Sequence, residues 1–213
     1  MAVVVAIDDP ADPRIAAYRD VRERDLVGRQ DCFVAEGEVV LSTLVASPRH
    51  RTLSLLLDAR RVERLRPLWE GLPDDVPVYA AERAVLDAVA GFPLHRGILA
   101  LGRRSEPVAA GDLLAGLGPR ATVVVAMGLA NHDNVGGLFR NAAAFAADAV
   151  LLDDRCCDPH YRKALRVSVG HVLTVPFARL APGEDPVALL AGHGFEVLAL
   201  SPRAPERLID VTP

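Results

Sequence analysis

Apolar positions along the chain alternate between short β-branched runs and longer stretches with helical spacing. Residues 3–7, 32–35, 52–57, 76–80 and 97–101 read as strands, with helices expected over 38–45, 60–69 and 81–89. Asp12 followed by Pro13 marks a further helix start, with Asp as cap and Pro in the first turn. Together residues 1–102 make an α/β unit. Residues 103–120 are rich in Gly, Ala, Pro and charge and suit a linker with a little local structure. The second unit, 121–213, opens on 121–127, which is apolar on both faces as a central parallel strand covered by helices must be. A helix over 135–147 with Asn134 as N-cap, a strand at 149–152 and a helix at 159–169 follow. A short extended segment at 172–176, a helix at 186–191 and a strand at 195–200 complete a pattern that predicts doubly wound α/β architecture.

Composition narrows the function classes. With 213 residues, 51% of them hydrophobic, the chain has ample material for a core without metal or disulfide staples. Cys32, Cys156 and Cys157 are odd in number, and the adjacent pair lacks the CxxC spacing of redox and zinc sites, so a reducing cytoplasm is expected. No charged-then-apolar leader opens the chain, and no apolar run approaches the roughly 18 residues of a membrane helix, so no membrane partner is expected. A net charge of −4 argues against coating nucleic acid by bulk electrostatics; any RNA contact is expected to be a local patch. Scattered histidines without HxxxH or HxxE spacing give metal chemistry no support, and neither GxGxxG nor GxxxxGK[ST] occurs.

Two clusters carry candidate chemistry. The loop after the strand at 121–127 reads NHDNVGGLFR from Asn131 to Arg140. Its Asn131, Asn134, Gly136 and Arg140 could hold a phosphate or ribose through helix N-terminal amides and a fixed positive charge. A capped helix with one surface arginine fits that spacing equally well. The second cluster, DPHYRKALRVSVG, runs from Asp158 to Gly170; on a helix Arg162 and Arg166 are i,i+4 neighbours beside Lys163, which gathers a phosphate-sized positive patch. A solvated helix face is the ordinary explanation of such a run. Cys156 and Cys157 lack a partnered base and read as structural or incidental.

Read jointly, the two clusters resemble the SpoU (TrmH) family of RNA 2′-O-ribose methyltransferases, over residues 121 to about 202. The order and intervals of Asn131, Asn134, Gly136, Arg140, Asp158, Pro159, Arg162, Lys163, Arg166, Ser168 and Gly170 carry the match. Upstream, FVAEGE at residues 33–38 is similar to a segment of the family's ribosomal-protein-like substrate-binding domain, a looser likeness over roughly 10–102. The resemblance implies a small α/β RNA-binding domain followed by a methyltransferase domain of the SPOUT type, knotted when complete. It implies methyl transfer from S-adenosylmethionine to a ribose 2′-hydroxyl of rRNA or tRNA, with Arg140 and Asn131 catalytic. Asn134, Arg162, Lys163, Arg166 and Ser168 would bind RNA, and Leu200, Ser201 and Pro202 the cofactor, in a cytoplasmic homodimer.

Three departures stand out. Ala146 occupies a position where the family usually has glycine, and Asn141 one where a small hydroxyl or alanine is commoner. The chain stops at Pro213, before the glycine-containing loop and later segments that complete the family's cofactor pocket and knot, so the expectation is a partial, unknotted methyltransferase domain. The alternatives are a non-catalytic RNA-binding or assembly protein that keeps the fold, and a small-molecule enzyme using the Asn131 loop for a nucleotide.

Overall fold

The computed structural model describes residues 2–19, 31–201, 203 and 207–210. Five strands, β1 (Val4–Ile7), β2 (Cys32–Glu36), β3 (Arg51–Asp58), β4 (Val78–Ala81) and β5 (Ile98–Arg103), form a mixed sheet in the order β1-β4-β3-β5-β2. β1, β4 and β3 run parallel, whereas β5 is antiparallel to both β3 and β2. Helices α1 (Glu38–Val45), α2 (Arg66–Trp69) and α3 (Arg83–Ala90) pack on this sheet. The helix expected over 60–69 is broken into a 3-10 turn at Ala59–Arg61 and the single turn of α2. Pro67 has no N–H to bond the turn before it, so an α-helix cannot run through.

The second unit holds α4 (Ala110–Ala115), β6 (Val123–Ala126), α5 (His132–Ala144), β7 (Ala149–Leu152), α6 (Arg162–Val167), β8 (Phe177–Arg179) and α7 (Pro186–Gly192). Its strands are parallel and lie in sequential order β6-β7-β8. The doubly wound expectation needs a reversal of strand order, and none exists among the described residues. Helices nevertheless cover both faces, as the alternation of the strands dictates. Val150 and Leu152 join the cluster containing α5 and α6, while Leu151 and Ala178 join that of α4 and α7.

Three further expectations shift. Residues 103–120 finish β5, pair Ala109 with Arg179 and place α4 against the sheet. The extended segment expected at 172–176 is a 3-10 turn, His171–Leu173, in which the Thr174 and Val175 N–H groups bond back to His171; pairing with β7 begins only at the Pro176 carbonyl, which accepts the Val150 N–H at 2.9 Å just ahead of β8. Residues 195–200 form no strand: Phe195 tucks against the α4 and α7 cluster, and 196–200 lie exposed without a sheet neighbour.

The two units share one core. It runs from Phe33, Val40 and Leu55 of the first to Phe139, Leu165 and Val172 of the second, with α6 lying against β2. Helix α5 ends in a Schellman turn, the Ala147 N–H bonding to Ala142 at 2.8 Å and the Ala146 N–H to Ala143 at 3.2 Å. This turn puts Ala146 at φ 53, the left-handed region that explains why glycine is commoner there. Ala146→Gly is expected to raise stability by about 1 kcal/mol, since a Cβ in that region costs roughly 1–2 kcal/mol and glycine loses part of this in chain entropy. Chemical denaturation measures it; a destabilised variant would refute the strain argument.

Candidate functional site

The loops after β6 and β7 meet at the carboxyl ends of the parallel strands, where ligands of open α/β sheets bind. Asp153 joins them, accepting from the Gly128 N–H at 2.9 Å and the Cys156 N–H at 3.0 Å while pairing with Arg155. Burial alone would raise the Asp153 pKa, but these donors outweigh it and hold the carboxyl well below the usual carboxylate range. The Cys156 thiol donates to the Ala126 carbonyl and accepts from the Leu129 N–H, both at 3.3 Å, which makes it a structural staple. Burial raises the pKa of both Cys156 and Cys157, so neither is primed as a thiolate.

Asn131, not Asn134, caps α5: its Oδ1 accepts from the N–H groups of Asp133 at 2.7 Å and Asn134 at 3.4 Å. The cap fixes the side chain, and the residue is otherwise exposed. Asn134 is exposed one turn later. Gly136, grouped in the sequence with residues that could hold a phosphate or ribose, gives its space to α6 instead: a Cβ there would stand 2.8 Å from the Ala164 carbonyl and from Val167. Gly137 has open space around it. Arg140 is exposed and makes no hydrogen bond or ion pair among the described residues. It lies nine residues beyond the cap, roughly 13 Å along the helix and on its far side, so Asn131 and Arg140 do not converge within one chain.

The cations of α6 are not a free patch. Arg162 turns inward, bonding Glu36 of β2 at 2.8 Å and resting 4.5 Å from the Phe92 ring centroid. Arg166 approaches the same carboxylate at 3.9 Å, and Lys163 pairs with Asp133 at 2.6 Å. Ser168 is fully buried; its hydroxyl donates to the Leu165 carbonyl at 3.0 Å. Glu36 was missed by the sequence reading, although a carboxylate inside the apolar strand CFVAE signals a buried partner. Leu200 and Ser201, the expected cofactor residues, are exposed and enclose nothing, and Pro202 lies outside the described residues. These residues therefore do not by themselves fit a cofactor pocket. Among the described residues no cluster of three or more His, Cys, Asp or Glu side chains is placed to hold a metal, and no helix is long and apolar enough to cross a membrane.

At the junction of the units a polar chain runs from Ser47 Oγ to His50 Nδ1 at 3.1 Å, from His50 Nε2 to His160 Nε2 at 3.2 Å, and from His160 Nδ1 to Asp158 at 3.5 Å. A proton on His160 Nδ1 facing the carboxylate makes its Nε2 an acceptor, so His50 donates from Nε2 and, as a neutral ring, accepts a hydrogen bond from the Ser47 hydroxyl at Nδ1. Both imidazoles must be neutral. Burial pushes both pKa values down, His50 from 6.5 to about 4, with the facing imidazole and Arg49 adding to the shift at His50. Unfolded histidine binds protons that the folded pair refuses, so the stabilisation is full above 6.5 and is lost as pH falls towards 4. Urea titrations across that window should show falling stability, with a flatter profile in His50→Phe; identical slopes would contradict the neutral pair.

Comparison with known proteins places this geometry. Residues 121–212 match the SpoU rRNA methylase family. An uncharacterised tRNA/rRNA methyltransferase of Mycobacterium tuberculosis strain H37Rv is 40% identical over 199 residues, which cover 91% of this chain and 67% of the relative. Among solved structures, the AdoMet-bound rRNA methyltransferase from Sinorhizobium meliloti superposes with a TM-score of 0.67 at 20% identity, covering 89% of this chain and 69% of that one. An RNA 2′-O ribose methyltransferase superposes with a TM-score of 0.66 at 23% identity, covering 94% of this chain and 75% of that one. At these identities the two structures speak for the fold alone. With the family match and the mycobacterial relative beside them, the conclusion is that this chain belongs to the SpoU family of RNA methyltransferases.

Proposed function

We propose that the protein transfers a methyl group from S-adenosylmethionine to a ribose 2′-hydroxyl of rRNA or tRNA. The observation that carries this reading is Arg140: an exposed guanidinium, without an internal partner among the described residues, on the helix that follows the first strand of a SpoU-family sheet. A ribose hydroxyl is a poor nucleophile, and a fixed cation beside it stabilises the charge that develops as its proton leaves. Arginine stays protonated, so its contribution is electrostatic and geometric, not that of a base. S-adenosylmethionine, when bound, supplies the electrophilic methyl group. The test is incubation of the protein with radiolabelled S-adenosylmethionine and ribosomal or transfer RNA: label in RNA supports the reading, and its absence with intact protein and both RNA classes counts against it.

Asn131 has a double role in this account, and two substitutions separate its parts. Asn131→Ala should cost about 1 kcal/mol through loss of the cap. Asn131→Asp keeps the capping oxygen but removes the amide NH2 donor, so the unfolding midpoint should hold while turnover falls roughly tenfold, the value of one lost charge-assisted donor. Full turnover in the Asp variant would leave Asn131 a cap only.

A further inference from the structure

A cavity of about 820 Å³ lies where the two units meet, lined from both of them and from the stretch that joins them. Arg49 comes from the first unit and Arg179 from the carboxyl end of β8. Neither has a carboxylate partner among the described residues. Arg49 donates to the Leu173 carbonyl at 3.0 Å, and Arg179 donates from Nη1 to the carbonyls of Asp153 and Cys156, both at 3.0 Å. Partial enclosure of the Arg49 guanidinium lowers its pKa, as expected of a desolvated cation without a counter-charge. The third arginine in the wall, Arg104, is already neutralised by Asp31 at 2.8 Å and Asp158 at 2.9 Å. The lining also carries the apolar side chains of Val108, Leu113 and Phe177. Exposed Glu106, with no ion pair among the described residues, adds an acceptor at the rim.

We propose that this cavity binds a nucleoside monophosphate unit, its phosphate held by Arg49 and Arg179, its base against Phe177 and Leu113, and its ribose hydroxyls donating to Glu106. Guanidinium forks match phosphate oxygens, the apolar wall accepts a planar ring, and the carboxylate takes hydroxyl donors while repelling a second anion. The volume falls within the usual 300–1,000 Å³ or so of small-ligand pockets. A free mononucleotide and one residue of an RNA chain present the same chemistry. The site lies apart from Asn131 and Arg140, and the proposal does not depend on methyl transfer.

The test is calorimetry on the whole chain, without a methyl donor, using AMP, adenosine and a short oligoribonucleotide as probes. AMP should bind saturably at millimolar concentration or below, with adenosine about tenfold weaker and Arg49→Ala or Arg179→Ala lowering AMP affinity by a similar factor. The imidazole NMR signals of His50 and His160, which line the same wall, should move on addition of AMP to the unsubstituted protein, a readout that needs no variant to fold. Tighter binding of the oligonucleotide than of AMP, lost in the same variants, identifies RNA as the source; the reverse order identifies a free nucleotide. No saturable binding of either phosphate probe, affinities indifferent to both substitutions, or unmoved histidine signals would overturn the proposal.

Discussion

Arg140→Ala is expected to lower methyl transfer to RNA by about 10²- to 10³-fold, the loss typical of removing one donor aimed at developing negative charge. The same substitution should leave the unfolding midpoint within measurement error, because the side chain is exposed and bonds to nothing among the described residues. Arg140→Lys keeps the charge but not the planar fork, so it should recover part of the rate. If the role is electrostatic, the loss appears in kcat more than in KM, since the charge develops only in the transition state. Near-normal turnover in Arg140→Ala would remove this residue from the mechanism.

Glu36→Ala should destabilise the chain by about 2 kcal/mol, because it removes the largely buried carboxylate that Arg162 bonds between the units. Glu36 is 9% exposed at its side chain and Arg162 25%, so the pair lies between the buried limit and the surface, where such bridges contribute little. Arg162→Ala should cost less, leaving a carboxylate that Arg166 can still approach. Denaturation of both single variants and the double variant gives the coupling energy directly. Independent, additive losses would show that Arg162 is not committed to Glu36 and is available to phosphate. Strong coupling would assign it to holding the units together.

Elements with a strong local pattern of their own are readable from the sequence. The helix beginning near Asn131 and the strands at 123–126 and 149–152 follow from an apolar run, a polar loop and helical spacing, but the first strand, expected at the centre of its sheet, lies at the edge with β7 central among the described residues. The cap was placed one turn late because Asn131 and Asn134 are equal as capping residues; only the hydrogen bonds to Asp133 and Asn134 separate them. Residues 195–200 carry strand-like composition, but a strand exists only where a neighbour accepts its ladder, and periodicity does not encode that neighbour. Charge spacing on α6 correctly grouped Arg162 and Arg166 but could not show that Arg162 turns inward, since its partner, Glu36, is 126 residues away along the chain. The same long-range pairing hid the contact of His50 with His160, 110 residues apart.

The central claim is that ribose, not a base, receives the methyl group, and one measurement addresses it directly. RNA methylated by the protein with radiolabelled S-adenosylmethionine would be hydrolysed with alkali, which needs a free 2′-hydroxyl to cleave each linkage. The account predicts label in alkali-resistant dinucleotides, with Arg140→Ala yielding almost none. Label confined to mononucleotides would place the methyl group on a base and contradict it.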